Sequence, residues 1–388
     1  MYKLRPYQQE AVDRAVKFFR SDKKGNAILV LPTGAGKSLV VANIAKQLGE
    51  PTIVLQPSKE ILEQNYEKLC SYGTLGVGVF SASMKRYEVV PITFATIGSV
   101  KRYTKSFSVF KYIIIDECHC VNAEDGMYKK FIDALGCKVL GLTATPYRLC
   151  SYREYGSILK FITRTKTRIF NEVLYAVQVK ELLSQGFLAQ LKYYRLNIVD
   201  TRQLTINSTG ADYTDKSVRR HYNAIDFQRQ LVGIVRRLLN AGRDSILVFT
   251  RFVEEAEHIT QMFPGCSAVV SGATHKGERE DILQRFKSGH IKVVANVGVL
   301  TTGFDFPALS TVLLARPTMS LALYYQMVGR AIRPYPGKDA WIVDLCGNYD
   351  RFGKVEDLEL REPKKGMWAV YSGEKQLTNV FFGNSFKK

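Results

Sequence analysis

A chain of 388 residues is too long for one ordinary core, so two domains of roughly 150 to 200 residues are expected. Hydrophobic residues make up 46% and charged residues 23%, the balance of a soluble globular protein rather than of a fibrous or disordered one. With 55 Lys and Arg against 36 Asp and Glu the net charge is +19, a field that suits a polyanionic partner, most commonly nucleic acid.

The seven cysteines are odd in number and contain no C-x-x-C pair, so neither a disulfide framework nor a zinc ribbon fits. The N-terminus MYKLRPYQQEAV lacks the apolar core of a signal peptide, and no apolar run approaches 18 residues. A soluble, cytoplasmic protein of a reducing compartment is expected, with no membrane partner.

Short β-branched runs alternate with helix-period stretches, the pattern of parallel sheets covered on both faces. In the first half the spacing predicts strands at Ala27–Leu31, Thr52–Leu55, Ile92–Ala95, Tyr112–Ile115 and Lys138–Leu142, and a helix over Ser38–Leu48. The first strand runs into PTGAGKS (32–38). Strand, glycine loop ending in Gly-Lys-Ser, and helix is the context of a phosphate-binding loop. Thr33, Gly34, Ala35, Gly36, Lys37 and Ser38 are the expected nucleotide contacts. Glycines at 34 and 36 let backbone N–H groups curl around phosphate oxygens, Lys37 neutralises the β- and γ-phosphates, and the Ser38 hydroxyl ligates Mg²⁺. Leu31 stands where the pattern usually has its first glycine.

The strand KYIII delivers Asp116 and Glu117 to its C-terminal end, where open α/β sheets bind ligands. Consecutive acids cannot share one face of a strand, so they are expected to diverge: Asp116 to the metal, Glu117 to the water that attacks the γ-phosphate. The following Cys118-His119-Cys120 invites a zinc reading. Adjacent ligands cannot all reach one tetrahedral ion, and no second Cys/His pair lies nearby in sequence. GLTATP (141–146) follows, with Thr143 and Thr145 placed to hydrogen-bond residues 116–119 or simply to end a strand.

The pattern falters beyond residue 150, where KFITRTKTR (160–168) holds four basic residues and no acid. It resumes with strands predicted at Ser245–Thr250, Cys266–Val270, Ile291–Asn296, Thr311–Ala315 and Trp341–Leu345. The expected organisation is an α/β domain over 1–160, a connection over 161–215, a second α/β domain over 216–360 and a short basic tail over 361–388. ANVGVLTTGFDFP (295–307) ends a strand in a Gly-Phe-Asp turn. In YYQMVGRAIRP (324–334), read as a helix, Gln326, Arg330 and Arg333 fall at i, i+4 and i+7 on one face. That face is either a solvated basic surface or a pair of arginines offered to the phosphates of a nucleotide across a cleft.

In order, these stretches resemble the motif series of superfamily 2 helicases. LRPYQ (4–8) is similar to the adenine-recognising Q-type motif, with Arg5 and Gln8 as its contacts. PTGAGKS resembles motif I, QPSKEILEQ (56–64) Ia, FATIGSV (94–100) Ib, DECH (116–119) II, TATP III, ILVFT (246–250) IV, NVGVLTTGFD (296–305) V and QMVGRAIRP (326–334) VI. Within the superfamily LRPYQQEAV, VLTTGFD and LARPT look most like RadD-type DNA-repair ATPases, with the XPB and UvsW groups a step further away. That group continues into a Cys-rich C-terminal region, whereas nothing after Cys346 is cysteine here, as expected of a truncated chain or of a minimal homologue such as a phage encodes.

The resemblance implies an α/β fold of two tandem RecA-like domains, ATP with Mg²⁺ bound between them, and DNA, single-stranded or branched, lying across their tops. It implies nucleotide contacts from Gly303 and Asp305 and coupling through His119, Thr143 and Thr145. It nominates Pro57, Ser58, Lys59, Thr96, Thr250, Arg251 and Thr301 for the nucleic-acid backbone, with Lys101, Arg102 and Arg148 as basic support. The implied activity is ATP-driven translocation or remodelling in DNA repair or recombination, by a monomer that works with a single-strand-binding protein. The competing functions are an RNA helicase, against which DECH, TAT and Gln326 speak, the motor of a restriction system, for which no nuclease motif is found, and a non-catalytic ATP-gated binding module, which would have lost Lys37, Glu117 or the arginines.

Overall fold

Continuous apolar runs can bury both faces of a strand, and here they build two parallel sheets. The structure, a computed structural model, describes residues 3–74, 76–152, 156–301 and 303–380. The described residues divide into unit 1 (within 3–148, 159–178 and 359–380) and unit 2 (within 149–158 and 179–358).

Unit 1 begins with α1 (Pro6–Arg20), whose fixed-φ Pro6 sits in the first turn. The chain then alternates: β1 (Ala27–Val30), α2 (Lys37–Leu48), β2 (Thr52–Gln56), α3 (Lys59–Cys70), β3 (Val77–Ser81), β4 (Arg86–Tyr87), β5 (Ile92–Thr96), α4 (Ile97–Val100), β6 (Tyr112–Ile115), α5 (Met127–Leu135) and β7 (Lys138–Thr143). After the two-stranded β8 (Tyr147–Tyr152) and β9 (Gly156–Phe161) comes β10 (Glu172–Ala176). The sheet order is β10-β1-β7-β6-β2-β5-β3-β4, parallel except for the β3–β4 pair. The C-terminal ends of β1, β2, β5, β6 and β7 therefore lie along one edge. The five predicted strands of this half are all present, within two residues at either end.

Unit 2 contains α6 (Val179–Ser184), β11 (Leu191–Arg195), α7 (Asp215–Ala224), α8 (Phe227–Asn240), β12 (Ile246–Thr250), α9 (Val253–Met262), β13 (Ser267–Val270), α10 (Lys276–Lys287), β14 (Val293–Asn296), β15 (Thr311–Ala315), α11 (Leu321–Val328), β16 (Ala340–Asp344) and α12 (Asn348–Phe352). Its sheet, β11-β16-β15-β12-β14-β13, is wholly parallel. The core gathers Val248, Ala295, Leu313 and Val343 under α7, α8 and α9.

Three expectations are corrected. Residues 161–215 are not a bare connection: β10 completes the sheet of unit 1 beside β1, while α6 and β11 already belong to unit 2. The described part of the expected tail is not a tail either. With β17 (Leu358–Arg361), β18 (Ala369–Ser372) and β19 (Lys375–Gln376) it forms a three-stranded sheet, and residues 359–380 fold with unit 1; residues 381–388 lie outside the described part. The helix expected through Arg333 ends at Val328, where Gly329 breaks it and Arg330 and Ala331 continue as i→i−3 turns.

Candidate active site and nucleic-acid interface

The phosphate loop leaves β1 at Leu31, whose N–H donates to the Thr143 carbonyl at 3.0 Å, and turns through Gly34 (φ 83°) and Gly36 (φ 76°) into α2. Those left-handed backbones favour glycine. Gly36 is also constrained by a neighbour, since a Cβ there would lie 2.5 Å from Gln8 Nε2. Gln8 is buried, and its carboxamide is engaged at both ends: Oε1 accepts from the Arg5 N–H at 2.9 Å, and Nε2 donates to the Ala35 carbonyl at 2.8 Å. Tyr7 O–H reaches the same carbonyl at 2.9 Å. Helix α1 thus braces the phosphate loop directly, and the Arg5 guanidinium points to the Tyr7 hydroxyl at 3.4 Å. Thr33 and Ala35 are buried within the loop.

The acids diverge as the end of a strand requires. Asp116 is buried, its N–H donating to Leu55 O at 3.0 Å, and its Oδ1 accepts the Glu117 N–H at 2.9 Å. Glu117 occupies the left-handed region (φ 47°, ψ 48°), which costs a non-glycine residue about 1–3 kcal/mol and recurs at functional sites. This turn swings its side chain to Lys37, with Nζ–Oε1 at 3.6 Å, and to His119, with Nδ1–Oε2 at 3.4 Å. Burial, and then the neighbouring Glu117 charge, hold the Asp116 pKa above the usual carboxylate range.

Sequence reasoning missed Asn65. On α3 its Nδ2 donates to Asp116 Oδ2 at 3.1 Å, while its Oδ1 accepts the Ser38 hydroxyl. One buried carboxamide therefore joins the two residues expected to hold Mg²⁺. Spending the Ser38 proton on Asn65 leaves the hydroxyl's lone pairs for a cation. The only signal in the sequence was the helical period of α3, which turns Ile61, Leu62, Asn65 and Leu69 inward.

His119 Nδ1 meets Thr143 Oγ1 at 2.9 Å, and that hydroxyl also accepts the Thr145 N–H at 3.0 Å. The expected link from the acid motif to TATP thus runs through Thr143. The Thr145 hydroxyl is buried and has no partner among the described residues. Burial lowers the His119 pKa, keeping the ring neutral. The neighbouring cysteines part ways: Cys120 is exposed, whereas Cys118 is buried against Gly141, where a Cβ would come within 2.6 Å of its Sγ. That contact explains the glycine of GLTATP.

In unit 2, Arg330 is buried and its Nη1 donates to the Phe304 carbonyl at 2.8 Å. Arg333 Nη1 reaches the same oxygen at 3.2 Å, and its Nε pairs with Asp305 at 2.9 Å. Gly303 turns this loop at φ 74°. The two arginines and the Gly303–Asp305 turn therefore form one cluster, with Gln326 contributing its carbonyl to Arg330 Nε at 3.2 Å.

The nominated nucleic-acid residues split. Ser58 caps α3 just after Pro57, Lys59 donates to Ser83 O at 3.0 Å, and Thr96 bonds Ser99 at 2.9 Å, all past the C-terminal ends of β2 and β5. Arg102 is exposed, and Lys101 Nζ lies 3.2 Å from Met127 Sδ. Thr301 is half-buried. Arg148 instead holds the Val121 carbonyl at 2.7 Å. Thr250 and Arg251 are corrected outright as nucleic-acid contacts. Thr250 is buried and donates to Phe252 O at 3.0 Å; Arg251 is held by Asp212, Asp215 and the Tyr213 carbonyl. No helix among the described residues is long and apolar enough to cross a membrane.

Residues 1–148 match the family described as "Type III restriction enzyme, res subunit", and residues 229–335 match the "Helicase conserved C-terminal domain". A 51.5 kDa protein of a Lactococcus phage is 27% identical over 329 residues, covering 83% of this chain and 66% of that protein. The DNA 3'-5' translocase XPB2 of Sulfurisphaera tokodaii is 26% identical over 369 residues, covering 88% of this chain and 81% of the relative. A solved fragment described as an HsdR subunit of a type I restriction enzyme from Vibrio vulnificus shares the fold with a TM-score of 0.66 at 22% identity, over 91% of this chain and 66% of that one. The chain thus spans about two thirds of the length of the phage protein and of the restriction fragment. With both family matches, a phosphate loop, a DECH turn and two mostly parallel sheets of RecA-like type, the chain belongs to the superfamily 2 helicases and translocases.

Proposed function

We propose that this chain is a nucleic-acid-stimulated ATPase that translocates on or remodels DNA at branched or single-strand/double-strand junctions, in repair or recombination. The observation that carries this reading is the convergence at the strand ends of unit 1 of Ser38 and Asp116, bridged by Asn65, with the Lys37–Glu117 pair. The oxygen donors Ser38 and Asp116 fit Mg²⁺, and a buried carboxyl whose ionisation its surroundings oppose is suited to a cation. Bound with ATP, that ion would neutralise developing charge on the β- and γ-phosphates. Lys37 exchanges Glu117 for phosphate oxygens, and Glu117 orients and deprotonates the attacking water. Arg330 and Arg333 add positive charge to the transition state, and the His119–Thr143 bond relays nucleotide state towards the nucleic-acid side.

DNA is favoured over RNA by the DECH, TAT and Gln326 departures from the RNA-helicase pattern, and by the relative named as a DNA translocase. The chain acts as a cytoplasmic monomer, with a single-strand-binding protein as accessory partner. The test is ATPase activity against single-stranded, duplex, forked and RNA ligands, with Glu117→Gln as control. Strongest stimulation by forked or single-stranded DNA is expected; stronger stimulation by RNA would overturn the substrate class. A second reading, the motor of a restriction system, is favoured by the family matched over residues 1–148. ATP-dependent cleavage of plasmid DNA would establish it, and translocation without cleavage would dismiss it.

A further inference from the structure

Away from the nucleotide site, unit 1 raises two tyrosines at the edge of its sheet. The buried Phe80 ring meets Tyr87 at 5.4 Å and Tyr103 at 5.2 Å, both edge-on, and Phe107 at 5.2 Å on its buried side. Phe107 in turn contacts Phe131. The tyrosines are thus propped on an aromatic core yet are 55% and 47% exposed. Neither hydroxyl makes a hydrogen bond among the described residues. Tyr87 is paired with Phe80 across the β3–β4 ladder, Lys85 makes the turn into β4 in the left-handed region (φ 53°), and the Tyr103 N–H donates to Val100 O at 2.8 Å.

The surroundings are cationic. Lys85, Arg102 and Lys105 are exposed, residues 97–105 hold three basic residues and no acid, and Glu88 beside Tyr87 is paired with Arg86 at 2.9 Å. The patch is also continuous with the residues proposed to grip the nucleic-acid backbone. Lys59 Nζ donates to Ser83 O, and the Ala82 N–H donates to Ser99 Oγ at 3.0 Å, which itself bonds Thr96. Phosphate contacts fix register, whereas exposed rings within a positive groove offer stacking surfaces to any unpaired base.

We infer that Tyr87 and Tyr103 form a stacking platform for the unpaired bases of a single-stranded nucleic acid, with Lys85, Arg102 and Lys105 holding its phosphates. This rests on the nucleic-acid reading above and assigns to that interface a contact with bases rather than with backbone. Duplex, whose bases are already stacked on one another, gains nothing from it.

The test measures binding of the full chain to a labelled oligo-dT, an abasic oligonucleotide of the same length and a blunt duplex, for wild type, Y87A/Y103A and Y87F/Y103F. Wild type is expected to prefer the base-bearing strand to the abasic one. Y87A/Y103A is expected to lose about ten- to hundredfold on oligo-dT. It should then bind both strands alike, with duplex affinity and basal ATPase unchanged. Y87F/Y103F is expected to behave as wild type, since stacking needs no hydroxyl. Wild-type affinity of Y87A/Y103A for oligo-dT, or equal wild-type affinity for the two strands, would overturn the platform. If the alanine variant fails to fold, as loss of basal ATPase would reveal, the wild-type comparison of the two strands still decides. Wild type that binds none of the three ligands would instead overturn the nucleic-acid reading itself.

Discussion

Asn65 changes how the nucleotide site is understood, because one carboxamide fixes the rotamers of both proposed metal-binding residues. Outer partners of this kind are worth about 10–100-fold in metal affinity. Asn65→Ala is therefore expected to raise the Mg²⁺ concentration needed for half-maximal ATPase about tenfold or more, with little change in kcat at saturating Mg²⁺; a Mg²⁺ titration of the variant checks this. The divergent acids predict a different split. Lys37→Ala should weaken ATP binding, whereas Glu117→Gln should keep binding and abolish turnover, as nucleotide binding and single-turnover hydrolysis would show. Normal turnover in Glu117→Gln would remove its role as base. Gln8 carries a lesson of another kind: its side chain spans Arg5 and Ala35 and so shapes the loop that holds the nucleotide.

Helix α9 starts on a capping interaction in which the buried Glu255 carboxylate accepts the Phe252 N–H at 3.0 Å. Burial dominates, and it pushes the Glu255 pKa up to about 7. The folded state therefore holds a proton that the unfolded chain has released between about pH 4.5 and 7, so this group's contribution to stability falls as pH rises through that window. Glu255→Gln keeps an acceptor without the charge. It should stabilise the protein above pH 7 by roughly 1–2 kcal/mol after allowance for screening, and the gain should vanish near pH 4.5. Thermal melts across that range test it. Strands show the same competition between local signal and context. Buried Thr52–Gln56 and Ile246–Thr250 were legible as continuous apolar runs. β10 and β11 were not: each lies at the edge of its sheet, half-exposed, so nothing demanded an apolar pattern.

Across the whole molecule the chain leaves unit 1 after Gln178 and re-enters it at Glu359. The two passages are fastened together, since the Gln178 side chain donates to Leu360 O at 2.8 Å and accepts from the Leu360 N–H at 3.0 Å. Further along, Trp368 stacks on the buried Phe161, and Asn379 bonds both the Phe161 N–H and the Trp368 carbonyl at 3.1 Å. Trp368→Ala is expected to cost unit 1 about 1–2 kcal/mol, the order of an aromatic pair plus lost apolar contact, and to loosen protection of β9 in hydrogen exchange. Arg330 and Arg333 test whether unit 2 takes part in chemistry on the nucleotide held by unit 1. Each alanine variant should lower kcat by about 10³-fold or more. Wild-type rates in both would confine the arginines to bracing the Phe304 carbonyl.

By itself the sequence determined the class of fold and the chemical core. Alternating buried runs and helix periods depend on local burial, and PTGAGKS and DECH carry their chemistry within a few consecutive residues, so both could be read along the chain. Tertiary structure alone decided what depends on distant partners. Asn65 rather than Gln64 faces the site because helix register chose it, 27 residues from Ser38 and 51 from Asp116. Thr250 and Arg251 turned inward because Phe252, Asp212 and Asp215 were there to receive them. The last described residues joined the first unit because Phe161 offered a face to Trp368. Hydrogen bonds and packing between segments far apart in the chain leave no period or spacing to read, and only folding brings them together.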